Sequence, residues 1–133
     1  MPRSGAICSC QGHADTIRLG RFGHRGEGGH RFASPDDLPR DDFRRALPRF
    51  QYDALHANLA IVERVREVAR RVPATPAQVA LASVLAQGRH VVPIPGTKTP
   101  KYLTDNAGAA DVELSAADLA ELDALPAPQG ARY

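Results

Sequence analysis

The chain has 133 residues, a formal net charge of +2 at pH 7, 43% hydrophobic residues and 24% charged residues. No apolar run approaches the roughly 18 residues that a membrane span requires, and residues 1–10 lack the apolar stretch of a secretory signal. This composition indicates a soluble protein, which we expect in the cytoplasm.

The first 33 residues differ in composition from the rest of the chain. Seven of the eleven glycines lie there, among arginines and histidines. We interpret residues 1–33 as a low-order, disordered Gly/Arg-rich segment. A cationic stretch that follows a nucleic-acid backbone is the alternative. It is disfavoured because Phe22 is the sole aromatic between the ends of the run from Arg18 to Phe32.

The same segment carries a short cysteine pattern. Cys8 and Cys10 with His13 form C-x-C-x-x-H, which could suggest a metal cluster. No second pair of ligands completes a set of four, so we expect reduced, incidental cysteines and no metal.

Residues 34–51 read as a long loop. Three prolines divide it into turns around a short helical piece predicted at Asp41 to Ala46, and Phe43 and Phe50 are its expected packing anchors.

Two helices are predicted next. Residues 54–72 are amphipathic, with a favourable Glu67–Arg71 spacing of i, i+4 and a stop at Pro73. Thr75 to Gln78 form a capping box, which predicts a second helix over residues 76–87. Its residues are apolar almost all round, so we expect burial on more than one side.

A short apolar strand, His90 to Ile94, is predicted to run directly into a turn and another helix. Gly96 lets a ligand approach the backbone closely, Thr97 supplies a hydroxyl and Lys98 an ammonium. Thr99 can serve as N-cap before Pro100, and the N–H groups at the start of the helix favour an anion. The order of these residues therefore predicts a phosphate site.

A last capping box, Ser115 to Asp118, predicts a helix that ends near Leu125. Leu119, Leu122 and Leu125 form one stripe on it, which indicates peripheral packing.

Residues 34 to 125 resemble the C-terminal part of the aldo/keto reductase family. The resemblance is densest in P-I-P-G-T-K-x-x-K-Y-L-x-D-N, T-P-A-Q-V-A-L-A and D-V-E-L-S-A-A-D-L-A-E-L. It implies an α/β fold, namely part of a TIM (β/α)8 barrel made of its C-terminal strands and helices. The expected organisation is residues 1–33 as the disordered segment and residues 34–133 as a reductase-like fragment with an NADP-binding turn.

The resemblance also implies a cofactor, NADP(H), and roles for individual residues. Thr97 and Lys98 would contact the adenosine 2′-phosphate beside Gly96, with Lys101 adding charge. Asp105 and Asn106 would bind the adenine edge. The sequence departs from the family pattern at three positions: Asp105 stands for the usual Glu, Tyr102 for a frequent Arg, and Ser83 for a large aromatic that often fills that site.

The catalytic Asp, Tyr, Lys and His of the family belong to the first half of the barrel, which the resemblance does not cover. Both lysines, Lys98 and Lys101, lie in the cofactor segment, so no catalytic residue is assigned. We expect an oxidoreductase family member whose isolated chain is inactive. The alternative is a non-enzymatic, partner-binding or truncated fragment in which another chain completes the open barrel edges, with no nucleic acid or membrane as partner.

Overall fold

The computed structural model describes residues 34–131, apart from the side chain of Phe43. The segment 1–33, with its predicted disorder and its Cys8, Cys10 and His13 pattern, lies outside the described residues. Within the described range the α-helices are α1 (Tyr52–Arg71), α2 (Pro76–Leu85), α3 (Pro100–Ala107) and α4 (Ala116–Asp123). Short 3₁₀ helices occupy Pro35–Asp37, Phe43–Ala46, Pro48–Phe50 and Gly108–Asp111.

Helix α1 forms because its apolar residues recur at helical spacing along one face. That face is buried, and it packs against α2, α4 and the Pro48–Phe50 turn. The helix ends at Arg71, with Val72 as its C-cap immediately before Pro73, within one residue of the predicted end. The predicted Glu67–Arg71 pair gives way to other partners: Arg64 pairs with Glu67, while Arg71 pairs with Asp118 and Glu121 of α4.

Helix α2 is the most enclosed element of the described chain. The Thr75 hydroxyl accepts from the Gln78 N–H (3.2 Å), and Gln78 Oε1 accepts from the Thr75 N–H (2.9 Å), which confirms the predicted capping box. Nearly all of its residues are buried, as expected for a helix that is apolar all round. Its end at Leu85 is two residues earlier than predicted.

Ser83, where the family often has a large aromatic, is buried within α2. Its hydroxyl donates to the carbonyl of Ala80 (2.8 Å). The polar group is therefore satisfied inside its own helix.

The main core lies between α1, α2 and α4. Buried side chains from all three helices meet there, and Leu114 and Leu125 cover its rim; the buried members are Val65, Val68, Ala69, Val79 and Leu122. The predicted Ser115–Asp118 capping box is present, and α4 stops at Asp123. A second, smaller cluster joins Leu38, Leu47 and Phe50 within the loop of residues 34–51, and the Pro48–Phe50 turn of that loop contacts α1.

The predicted strand at His90 to Ile94 is not formed, and no β-strand occurs anywhere in residues 34–131. A β-strand requires a neighbouring strand to receive its backbone hydrogen bonds, and the described chain offers no such neighbour. The predicted partial (β/α)8 barrel is therefore not confirmed: its helices are present without the sheet.

Candidate functional site

The segment from Val91 to Thr99 runs without regular secondary structure into α3. Val92 is 76% exposed and Ile94 is 91% exposed, so two aliphatic side chains project into solvent just before the predicted phosphate turn. A side-chain carbon built on Gly96 would meet no atom within 4 Å. The space above Gly96 is therefore open to a ligand.

Thr97 and Lys98 occupy the turn itself. The Thr97 hydroxyl oxygen accepts a hydrogen bond from the Thr99 N–H (3.2 Å), which holds the turn and leaves the hydroxyl proton available for a ligand. Lys98 is exposed, as is Lys101 in the first turn of α3. Neither ammonium forms a recorded salt bridge with a carboxylate among residues 34–131. The turn therefore presents positive charge to solvent.

Helix α3 begins as the sequence predicts, with Thr99 at the N-cap and Pro100 in the first turn. The Thr99 side chain makes no capping hydrogen bond, in contrast to Thr75 and Ser115 at the starts of α2 and α4. The positive end of the α3 dipole is thus not neutralised by a cap from Thr99, an arrangement compatible with an anionic ligand.

Asp105 and Asn106, the expected adenine contacts, follow in the second turn of α3, where both are half-buried. The structure thus places all six predicted residues on one continuous turn and helix: Gly96, Thr97, Lys98, Lys101, Asp105 and Asn106.

Gln78 positions this helix, a role that the sequence analysis missed. Its Nε2 donates to the backbone carbonyl of Asp105 (2.9 Å), while its Oε1 closes the capping box of α2. At Gly108 an added side-chain carbon would lie 2.8 Å from the same Nε2. Only the capping half of this role had a local signal, because the Asp105 carbonyl lies 27 positions further along the chain.

The loop of residues 34–51 forms a separate, open cleft of about 490 Å³, lined by Asp36, Leu38, Arg40 and Arg45. Arg45 is held there by the carbonyls of Pro35 (3.1 Å) and Leu38 (2.8 Å). The hydroxyl of Tyr52 donates to Asp36 Oδ2. This hydrogen bond raises the pKa of Tyr52 and lowers the pKa of Asp36.

The direction of the Tyr52 shift bears on chemistry. A tyrosine that donates a proton in catalysis needs a pKa lowered toward the working pH, whereas the Asp36 carboxylate shifts Tyr52 the other way. Tyr52 therefore does not resemble a reductase proton donor.

Residues 34–131 contain no group of three or more His, Cys, Asp or Glu placed to hold a metal ion. None of the helices in this range is long and apolar enough to cross a membrane.

This chain is similar to curated proteins over most of its length. The chain is 41% identical over 125 residues to an aldo-keto reductase of Schizosaccharomyces pombe named yakc, whose name includes NADP(+); the match covers 91% of this chain and 36% of that protein. Aldo-keto reductase str7 of Strobilurus tenacellus is 40% identical over 107 residues, which are 76% of this chain and 32% of the relative.

The probable aldo-keto reductase 1 of Glycine max is 46% identical over 101 residues, 74% of this chain and 29% of that protein. The chain thus spans about a third of the length of the curated relatives it matches. No solved structure matches it significantly.

A sequence model of the aldo/keto reductase family matches residues 19–127. This range contains the turn at Gly96 to Lys98 and all four described α-helices, and it begins inside the segment 1–33. The match extends over most of the chain, so the protein belongs to the aldo/keto reductase family.

Proposed function

We propose that residues 96–106 bind the adenosine 2′-phosphate end of NADP(H), in a protein of the family that reduces aldehydes or ketones. The supporting observation is the exposed pair Lys98 and Lys101 beside the Thr97 hydroxyl, at the start of a helix whose N-cap side chain makes no capping bond. Phosphate is recognised by this combination of ammonium, hydroxyl and helix N-terminus. NADP(H) is preferred over NAD(H) in this proposal because only the former carries the 2′-phosphate.

Within this half-site, Lys98 and Thr97 hold the phosphate, and Lys101 adds positive charge from the first turn of α3. Asp105 and Asn106 would take the adenine edge from the second turn of α3. When bound, the cofactor supplies a hydride to a carbonyl carbon. The residues of this chain orient its adenosine end only.

The isolated chain is proposed to bind the cofactor without reducing a carbonyl. Its two lysines both belong to the proposed cofactor segment, Lys98 in the turn and Lys101 in α3, so no lysine remains to lower the pKa of a tyrosine. Tyr52 has its pKa raised instead, because it donates to Asp36. Reduction of a substrate carbonyl thus depends on barrel strands that residues 34–131 do not supply.

Calorimetric titration of the folded chain with NADPH tests the proposal. Lys98→Ala should weaken NADPH binding about tenfold, the value of one charge-assisted hydrogen bond. The same variant should leave binding of NADH, which lacks the 2′-phosphate, unchanged. Arg70→Ala is the matched control, because Arg70 is an exposed cation on α1. A folded chain that binds neither nucleotide would contradict the half-site, as would equal losses in the two variants.

A second candidate function is non-enzymatic docking of a partner strand. Val92 and Ile94 are exposed by 76% and 91%, on backbone without regular secondary structure, and Leu103 of α3 is 62% exposed. A β-strand from another chain would satisfy those backbone groups and cover the aliphatic side chains. Sedimentation should then show mass rising with concentration in the native chain and not in Ile94→Glu. A native chain that stays monomeric throughout would exclude self-association by this strand.

A further inference from the structure

The C-terminal residues 128–130, here named the strap, lie across the start of α1. Asn58 of α1 is fully buried (0% exposed) although its side chain is polar. Its Nδ2 donates to the backbone carbonyl of Gln129 (3.1 Å), and its Oδ1 accepts from the Gln129 N–H (2.8 Å). The side-chain amide of Asn58 therefore hydrogen-bonds both the N–H and the carbonyl of Gln129, 71 positions further along the chain.

The strap is also hydrogen-bonded to the loop of residues 34–51. Asn58 Nδ2 donates as well to the carbonyl of Arg49 (3.3 Å), and Arg49 Nε donates to the carbonyl of Gly130 (3.0 Å). Arg49 lies in the Pro48–Phe50 turn, whose Phe50 packs on Leu38 and Leu47. The strap, the turn and α1 thus share one hydrogen-bonded junction.

Gly130 sets the close approach of the strap to this turn. Its φ of +86° is a backbone conformation that favours glycine, and an added side-chain carbon would lie 2.8 Å from the Arg49 nitrogen. These hydrogen bonds of the junction use only backbone groups of the strap, and the side chain of Gln129 is exposed.

We propose that the strap is a releasable latch that fixes the position of the 34–51 loop. The latched state is held by backbone recognition at Asn58 and Arg49, and release of the strap frees the Pro48–Phe50 turn. That turn ends at Phe50, which packs on Leu38, and Leu38 lines the open cleft. Whether the strap is bound or released therefore sets the position of Leu38 in the wall of the cleft, independently of cofactor binding at α3.

Amide hydrogen exchange on the full chain, resolved by NMR, tests this latch. In the native chain the Gln129 amide should exchange more slowly than in an unstructured peptide, although its residue is exposed. Gly130→Ala should speed exchange of Gln129 about tenfold, because it displaces the hydrogen bonds of the junction. The same variant should also speed the Phe50 and Gln51 amides, which donate to Leu47 and Pro48.

Gln129→Ala is the matched control, because it removes a strap side chain and keeps every backbone contact. It should change none of these rates. The Val68 amide, deep in the core, reports whether each variant is folded. The latch is excluded if native Gln129 exchanges like a free peptide. It is also excluded if Gly130→Ala accelerates Gln129 alone and leaves Phe50 and Gln51 unchanged in a folded chain.

Discussion

The helical body formed by α1, α2 and α4 contrasts with the segment of residues 91–107 that carries the candidate cofactor site. In the body, two helices start with complete capping boxes, and the core side chains are almost fully removed from water. In the segment, the N-cap of α3 makes no side-chain bond and Ile94 is 91% exposed. Stability and the proposed phosphate binding are thus assigned to different parts of the chain, because a phosphate site needs exposed donor groups that a core excludes.

Truncating one aliphatic side chain in each region tests this contrast with the largest expected effect. Leu122→Ala should cost roughly 2–5 kcal/mol of the free energy of unfolding, because it leaves a cavity in the main core. Ile94→Ala should change the same free energy by no more than about 0.5 kcal/mol, because its side chain already lies in water.

Urea unfolding followed by circular dichroism at neutral pH measures the free energy of unfolding of both variants. Equal losses in the two variants would mean that Ile94 is covered in solution, and the contrast between the regions would then disappear.

A smaller effect distinguishes the starts of two helices. Thr75→Ala should lower the free energy of unfolding by about 1 kcal/mol, the usual value of a side-chain N-cap. Thr99→Ala removes a threonine from the N-cap of α3, where its side chain caps nothing, and should cost much less.

The two threonines form a matched pair, since each precedes a proline at the first helical position. Urea midpoints of the two variants should therefore differ. A loss at Thr99 as large as that at Thr75 would show that its hydroxyl caps α3 after all.

The smallest expected effect is a pH dependence in the body. The Ser115 hydroxyl and, after it, the Arg71 guanidinium lower the pKa of Asp118. A carboxyl whose pKa is lowered by folding stabilises the native state above its unfolded pKa of about 4. That contribution is lost as the pH falls through the lower, folded value. Because Arg71 is about half exposed, water screens part of it.

The melting temperature of the native chain should therefore exceed that of Asp118→Asn at pH 7, and the difference should shrink steadily below about pH 4. A difference that stays constant between pH 7 and pH 2 would assign the effect to packing instead of charge.

Structural features that depend on residues close together in the chain were predictable from sequence. The capping boxes at Thr75 and Ser115 each join residues three positions apart, and both are present. The stop of α1 before Pro73 is equally local. The positions of the candidate site residues on a turn and helix were predictable for the same reason, whereas their binding of NADP(H) stays a prediction.

The sequence by itself determined the helices, the capping boxes of α2 and α4 and the position of the turn before α3, because helical hydrogen bonds and caps join neighbours in the chain. Only the tertiary structure decided which distant groups meet. Arg71 pairs with α4 instead of Glu67, Gln78 reaches Asp105, and Asn58 holds Gln129. The predicted strand at His90 to Ile94 is missing for the same reason, because a strand needs a neighbouring strand from a distant part of the chain, and residues 34–131 provide none.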